Sequence, residues 1–403
     1  MTGCRPEVAD VIRKYGKDFV GKHATTSQQR RVLLDLSTCR TKALGGHVLR
    51  CDRCQHTEIS YNSCRNRHCP KCQAAARAAW LEDRRKDLIA VPYFHVVFTL
   101  PHELSSLVLQ NKRQLYSLLF RAAAEAMKET AANDRHLGAQ VGFLAVLHTW
   151  GQTLHHHPHI HCVVPAGGLS NQGTAWIDAR KDFFLPVRVL SKLFRGKYMS
   201  ALDSMREAGQ LQLHGRAGRL NCDPEWSRFR ARLFSKNWVV YAKRPFGGPE
   251  QVLKYLARYT HRVAIANQGI VAAEHGRVSF RWKSYANGSV QRIMTLTAVQ
   301  FLQRFLLHVL PKHFVRIRQY GFLANRIRHD KLERIRQLLD PTSGDRTQAP
   351  DSPTELQHAE REISAIQISS RPCPACTQGK LIILGELRPL AWPLRAASVR
   401  APP

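Results

Sequence analysis

In VADVIRKYGKDFV, the residues Val8, Ile12, Tyr15 and Phe19 recur at intervals of three or four, which puts one apolar stripe down a helix; residues 1 to about 48 read as helical. AAARAAWLEDRRKDLIA (74–90) reads as a further helix of high propensity. From Pro92 the rhythm changes. FHVVFTL (94–100) and VGFLAVLH (141–148) are short runs rich in Val and Phe, separated by a helical stretch, LYSLLFRAAAEAMKE (115–129). HIHCVVP (159–165), NWVVYA (237–242), VSFRW (278–282) and QRIMTL (291–296) continue the strands, with Asn287-Gly288 as a hairpin signal between the last two. Residues 299–338 read as helical and heavily basic, whereas PTSGDRTQAPDSPTELQHAE after Asp340 has the composition of a disordered linker.

Strands interleaved with a few helices, without strict alternation, predict an α+β fold with a largely antiparallel sheet. The expected organisation is an N-terminal cysteine-rich helical module over 1–91, a sheet domain over 92–298, a basic helical segment over 299–340 and a disordered tail over 341–403 carrying a lone CPAC. No internal repeat is visible.

Charge narrows the partner. With 61 Lys+Arg against 30 Asp+Glu, the formal charge is +31, and a basic field of that size attracts phosphate backbones through counterion release. A membrane is the competing polyanion, but no apolar stretch reaches the roughly 18 residues a span requires. MTGCRPEVADVIRKYG lacks the apolar core of a secretory signal, so the expected location is cytoplasmic, on bacterial nucleoid DNA.

Five of the eleven cysteines fall between Cys51 and Cys72. In a chain without an export signal, clustered CxxC pairs point to metal rather than disulfides. Cys51-x2-Cys54 and Cys69-x2-Cys72 are two knuckles expected to complete one tetrahedral structural Zn²⁺ site, with Cys64, His68 and His56 as further candidate ligands. Arg50, Arg53, Arg65, Arg67 and Lys71 surround them, as suits contact with DNA. Cys373 and Cys376 have no evident partner pair and read as the remnant of a second knuckle or a chance pair.

The other concentration of chemistry is HHHPHIHCVV (155–164), with six histidines between His148 and His161. Side chains alternate along a strand, so His159 and His161 share one face while Ile160 and Cys162 share the other. Two imidazoles on a rigid strand are a platform for a divalent ion. Further on, Pro249 suits a first helical turn, and Val252, Leu256, Tyr259 and Val263 make an apolar stripe. Tyr255 and Tyr259 are one turn apart on one helix face, flanked by the candidate DNA contacts Lys254, Arg258 and Arg262.

Taken together, CRNRHCPKC (64–72), FTLPHEL (98–104), HPHIH (157–161) and YLARYTHR (255–262) resemble, in order, the two-tyrosine HUH transposases of the insertion-sequence-91-like rolling-circle elements, over roughly residues 15–330. The resemblance implies an HUH-type antiparallel sheet flanked by helices. It further implies single-strand cleavage and rejoining of transposon ends and target through a 5′-phosphotyrosine, with Tyr255 and Tyr259 as nucleophiles. Mg²⁺ or Mn²⁺ is expected on His159 and His161, with a third ligand ranked Gln152 first, then His157 and His261. The phosphodiester energy is conserved, so no ATP is needed, consistent with the lack of a GxxxxGK[ST] loop. Competing readings are an HUH replication initiator or relaxase, a zinc-dependent DNA-binding regulator without catalysis, and a metal hydrolase. The first has the zinc cluster and the missing helicase motif against it, the second leaves HPHIH and the tyrosines as coincidences, and the third lacks an HExxH or carboxylate-rich motif.

Overall fold

The computed structural model describes residues 5–246, 251–252, 263–284, 288, 290–340 and 371–390. Two helices open the chain, Val8–Lys22 and Ser27–Thr38. The second starts at a capping box, in which Thr26 Oγ1 accepts from the Gln29 N–H and the Gln29 side chain accepts from the Thr26 N–H. A hairpin of β1 (Gly46–Cys51) and β2 (Thr57–Tyr61) follows, then a helix Pro70–Arg85 that has its proline at the first turn.

The central sheet is built from β3 (Tyr93–Thr99), β4 (Phe143–Trp150) and β5 (His156–Pro165), all paired antiparallel. A small hairpin, β6 (Gly167–Leu169) with β7 (Trp176–Asp178), leaves the end of β5, and β8 (Val240–Phe246) pairs on the outer side of β3. A meander of β9 (Ile270–Glu274), β10 (Arg277–Ser284) and β11 (Val290–Thr297) forms a separate antiparallel sheet. The next strand, β12 (Ile317–Tyr320), returns to pair with β4, giving the order β12-β4-β5-β3-β8.

Alternation along the strands sorts the core. Phe94, Val96 and Phe98 of β3, Phe143, Ala145 and Leu147 of β4, and Ile160, Cys162 and Val164 of β5 face one side, against helices Lys112–Ala132 and Val187–Glu207. Tyr93, Leu144, Val146 and Val163 face the other side, with Trp80, Leu81 and helix Arg328–Leu339. A third cluster packs the two N-terminal helices against the meander and helix Ala298–Leu307. Its member Leu154 lies in the β4–β5 turn, so the N-terminal module and the central sheet share a core at that turn.

Two expected segments differ. Residues 299–338 are not one helical stretch: the helix stops at Leu307, before Pro311, and Ile317–Tyr320 is an edge strand of the central sheet. Nor does the tail lack structure throughout, because β13 (Leu381–Leu387) pairs antiparallel with β1 and makes the order β13-β1-β2. Among the described residues no helix is long and apolar enough to cross a membrane.

Candidate functional site

The central position of β5 creates the site. His159 lies directly across from His148 on β4 and from Thr99 on β3; His161 lies across from Val146 and Val97. Period-two alternation then brings three imidazoles to one face, and the ligand atoms of His148, His159 and His161 lie within 4.8 Å of one another. His148 and His161 are buried and His159 is half-exposed, so the cluster is open to solvent on the His159 side.

Hydrogen bonds orient two of the rings. His159 Nδ1 is 2.7 Å from the His157 carbonyl oxygen, which can only accept, so Nδ1 carries the proton and the lone pair sits on Nε2. His161 Nδ1 is 2.8 Å from His95 Nε2, which leaves His161 Nε2 for the cluster. His95, buried on β3, is held neutral: burial, aided by the Lys243 charge, pushes its pKa down to about 3. Trp150 stacks on the His148 ring at 4.6 Å.

His148 was not among the candidate third ligands. Gln152 is turned toward the meander, its Oε1 accepting from the Lys283 N–H at 3.4 Å. His157 gives its carbonyl to His159 and its exposed ring stands 5.2 Å from that ring, centroid to centroid. His261 lies outside the described residues, as do Tyr255, Tyr259, Lys254, Arg258 and Arg262. The described flanks of that segment both meet the histidine-bearing strands. Val252 is fully buried in the cluster of Leu144, Val146 and Val163, which share the histidine face, and Val263 and Ala264 line a cavity with Trp150.

The cysteines group differently from the expected four. Cys69 and Cys72 stand with Cys39 and Cys64, whereas Cys51 and Cys54 stand with Cys373 and Cys376. In the first group the Cys39–Cys72, Cys64–Cys72 and Cys39–Cys69 sulfur separations are each 3.6 Å. The reason is the hairpin. Gly46 pairs with Tyr61 at its base and Arg50 with Thr57 near its tip. That span carries the Cys51–Cys54 knuckle about 14 Å away from the base, where Cys64 follows. Cys39, at the end of helix Ser27–Thr38, fills the place expected for Cys51. A lone cysteine in STCR offers no spacing by which sequence could have found it.

The flanking residues also divide. His68 is buried and is not in either group; its Nε2 accepts from the Leu310 N–H at 3.4 Å, and burial pushes its pKa down to about 3. Arg67 donates to the Phe314 carbonyl, and Lys71 pairs with Glu7 at 2.5 Å, so both are engaged within the protein. Arg65 is exposed, with a left-handed φ of 51°.

The central sheet thus gathers three histidines on one face, apart from two groups of four cysteines. Residues 11–100 match the family described as "Transposase zinc-binding domain", and residues 142–331 the family described as "Putative transposase". The chain is 52% identical over 387 residues to "Putative transposase y4qJ" of Sinorhizobium fredii, covering 95% of this chain and 96% of that protein. It is 29% identical over 304 residues to "Transposase for insertion sequence element IS801" of Pseudomonas savastanoi pv. phaseolicola, covering 75% of this chain and 72% of that one. No solved structure gives a significant match. The chain belongs to the insertion-sequence-91-like transposases, DNA-binding enzymes that carry structural zinc.

Proposed function

We propose that this transposase cleaves and rejoins single-stranded DNA at transposon ends and target through a 5′-phosphotyrosine, in rolling-circle transposition, with Tyr255 and Tyr259 as the nucleophiles. The observation that carries the reading is the cluster of His148, His159 and His161 on the sheet face where Val252 packs, three residues before Tyr255. Val252 packs on that face, and Val263 and Ala264 line a cavity with Trp150, which stacks on His148.

The cluster fits a divalent ion. Three imidazole nitrogens converge, two rings are oriented by their other nitrogen, and the half-exposed side leaves room for phosphate oxygens and water. Three imidazoles without a carboxylate in the group favour Mn²⁺ over the oxygen-seeking Mg²⁺. When bound, the ion would polarise the scissile phosphate and offset the weakness of a phenol whose free pKa is near 10.

The tyrosine oxygen attacks phosphorus, the bond to the 3′ oxygen breaks, and the freed strand leaves as a 3′-OH. Attack by a 3′-OH later reverses the exchange and releases the tyrosine, so phosphodiester energy is retained and no ATP is consumed. A second tyrosine lets one subunit cut again while the first is still esterified.

Incubating the protein with labelled single-stranded DNA bearing the element's ends, with Mn²⁺ or with EDTA, tests this by denaturing gel and peptide mapping. The expected result is a metal-dependent adduct on the peptide containing Tyr255 and Tyr259. It should vanish in the double Tyr→Phe variant and fall at least ~10-fold in His148→Ala, with DNA binding retained. DNA bound but uncut under every metal would favour a regulator without catalysis instead.

A further inference from the structure

We propose that Cys51, Cys54, Cys373 and Cys376 hold a second zinc ion that joins the two ends of the chain and locks β13 onto the N-terminal hairpin. The matched zinc-binding domain ends at residue 100, so half of these ligands lie far outside it. Cys51 and Cys376 sulfurs are 3.7 Å apart, and Cys54 and Cys373 sulfurs 3.6 Å. A tetrahedron with Zn–S bonds of about 2.3 Å has edges of about 3.8 Å. A disulfide would need roughly 2 Å.

The backbone is arranged as in a zinc knuckle. The N–H groups of Arg53 and Cys54 each point at Cys51 Sγ from 3.4 Å, and the Gly379 N–H points at Cys376 Sγ from 3.3 Å. Such donors stabilise thiolates. The two turns are also tied to each other, because Asp52 Oδ1 accepts from the Lys380 N–H at 2.8 Å and the Asp52 N–H donates to the Lys380 carbonyl at 3.0 Å. Their approach leaves no space at Gly379, where an added Cβ would sit 2.3 Å from Cys51 Sγ.

The size of the core makes metal necessary. The apolar cluster here consists of Leu49, Cys51, Cys373 and Leu381, with Cys376 packed against it. So few buried groups cannot hold a three-stranded sheet, and modules of this kind take their folding energy from the ion. The ion does this across a long loop, since Cys54 and Cys373 are 319 positions apart. The first site is mostly buried, whereas Cys54 is exposed and Cys376 half-buried, so the second site is the one that exchanges its metal with solvent faster.

The test uses the full chain, measuring zinc by plasma mass spectrometry and amide hydrogen exchange over 381–387. Wild type should hold one zinc ion more than C373S/C376S, in which protection of Leu381–Leu387 is lost and that of helix Ser27–Thr38 kept. C51S/C54S should do the same to Leu381–Leu387 from the far end of the sequence, which separates metal closure from damage to the tail alone. Equal zinc in wild type and C373S/C376S, or a protected β13 in both variants, would each overturn the proposal. So would failure of these four thiols to react after chelation and denaturation without reductant, since they would then be disulfides.

Discussion

At the scale of single residues, His308 is a histidine that serves the fold, with both ring nitrogens engaged by the protein. His308 lies buried under the β4–β5 turn, its Nε2–H donating to the Leu154 carbonyl at 3.1 Å and its Nδ1 accepting from Thr149 Oγ1 at 3.2 Å. Burial pushes its pKa down to about 4, against the upward pull of the Leu154 and Thr149 backbone carbonyls. An unfolded chain binds the proton below about 6.5 and the folded chain does not. The stability this neutral ring contributes is therefore complete above about 6.5 and is lost as pH falls toward 4. The urea midpoint should drop between pH 7.5 and 5, and the drop should be shallower in His308→Gln, even though that variant starts lower. An unchanged slope would mean that other groups carry the acid sensitivity. His159 and His161 were legible as a pair because alternation needs only the strand. His148 was not, because choosing it over Gln152 requires the register of β4 on β5, which shifts between His148 and Trp150.

At the scale of elements, β12 was the strand hidden from the periodicity. Four residues between two amphipathic helices are too few to declare a period of two, so IRQY is absorbed into the helical rhythm around it. Its position depends on Gly321, which follows the strand at φ +61°; an added Cβ would lie 1.7 Å from the Val141 carbonyl oxygen. Gly321→Ala should destabilise the protein by at least ~2 kcal/mol, since it combines a left-handed conformation with a backbone collision. Gly209, at φ +63° with nothing near, isolates the first effect, and Gly209→Ala should cost only about 1 kcal/mol. Urea unfolding of the two variants checks this, and equal losses would mean that β12 moves to relieve the contact.

At the scale of the whole molecule, the charge of +31 is partly spent on the fold. Lys112 donates to the carbonyls of Leu307 and Val309, and Arg316 to the Gln73 side chain at 2.7 Å. The remaining basic surface should make single-strand binding steeply salt-dependent, at a slope of about −0.7 per phosphate neutralised in log affinity against log salt. Six phosphate contacts would give a slope of roughly −4 in anisotropy titrations. A slope near zero would take electrostatics out of the recognition. The sequence alone determined the antiparallel α+β character, the metal-binding chemistry of the cysteines, the shared face of His159 and His161, and the polyanionic partner. These depend on local periodicity, residue type and summed charge, which need no knowledge of distant contacts. Tertiary structure alone decided that His148 completes the triad, that Cys39 displaces Cys51, and that the tail's CPAC meets the first knuckle. Each joins residues through strand register or hairpin length, and those are settled by the packing of elements far apart in the chain.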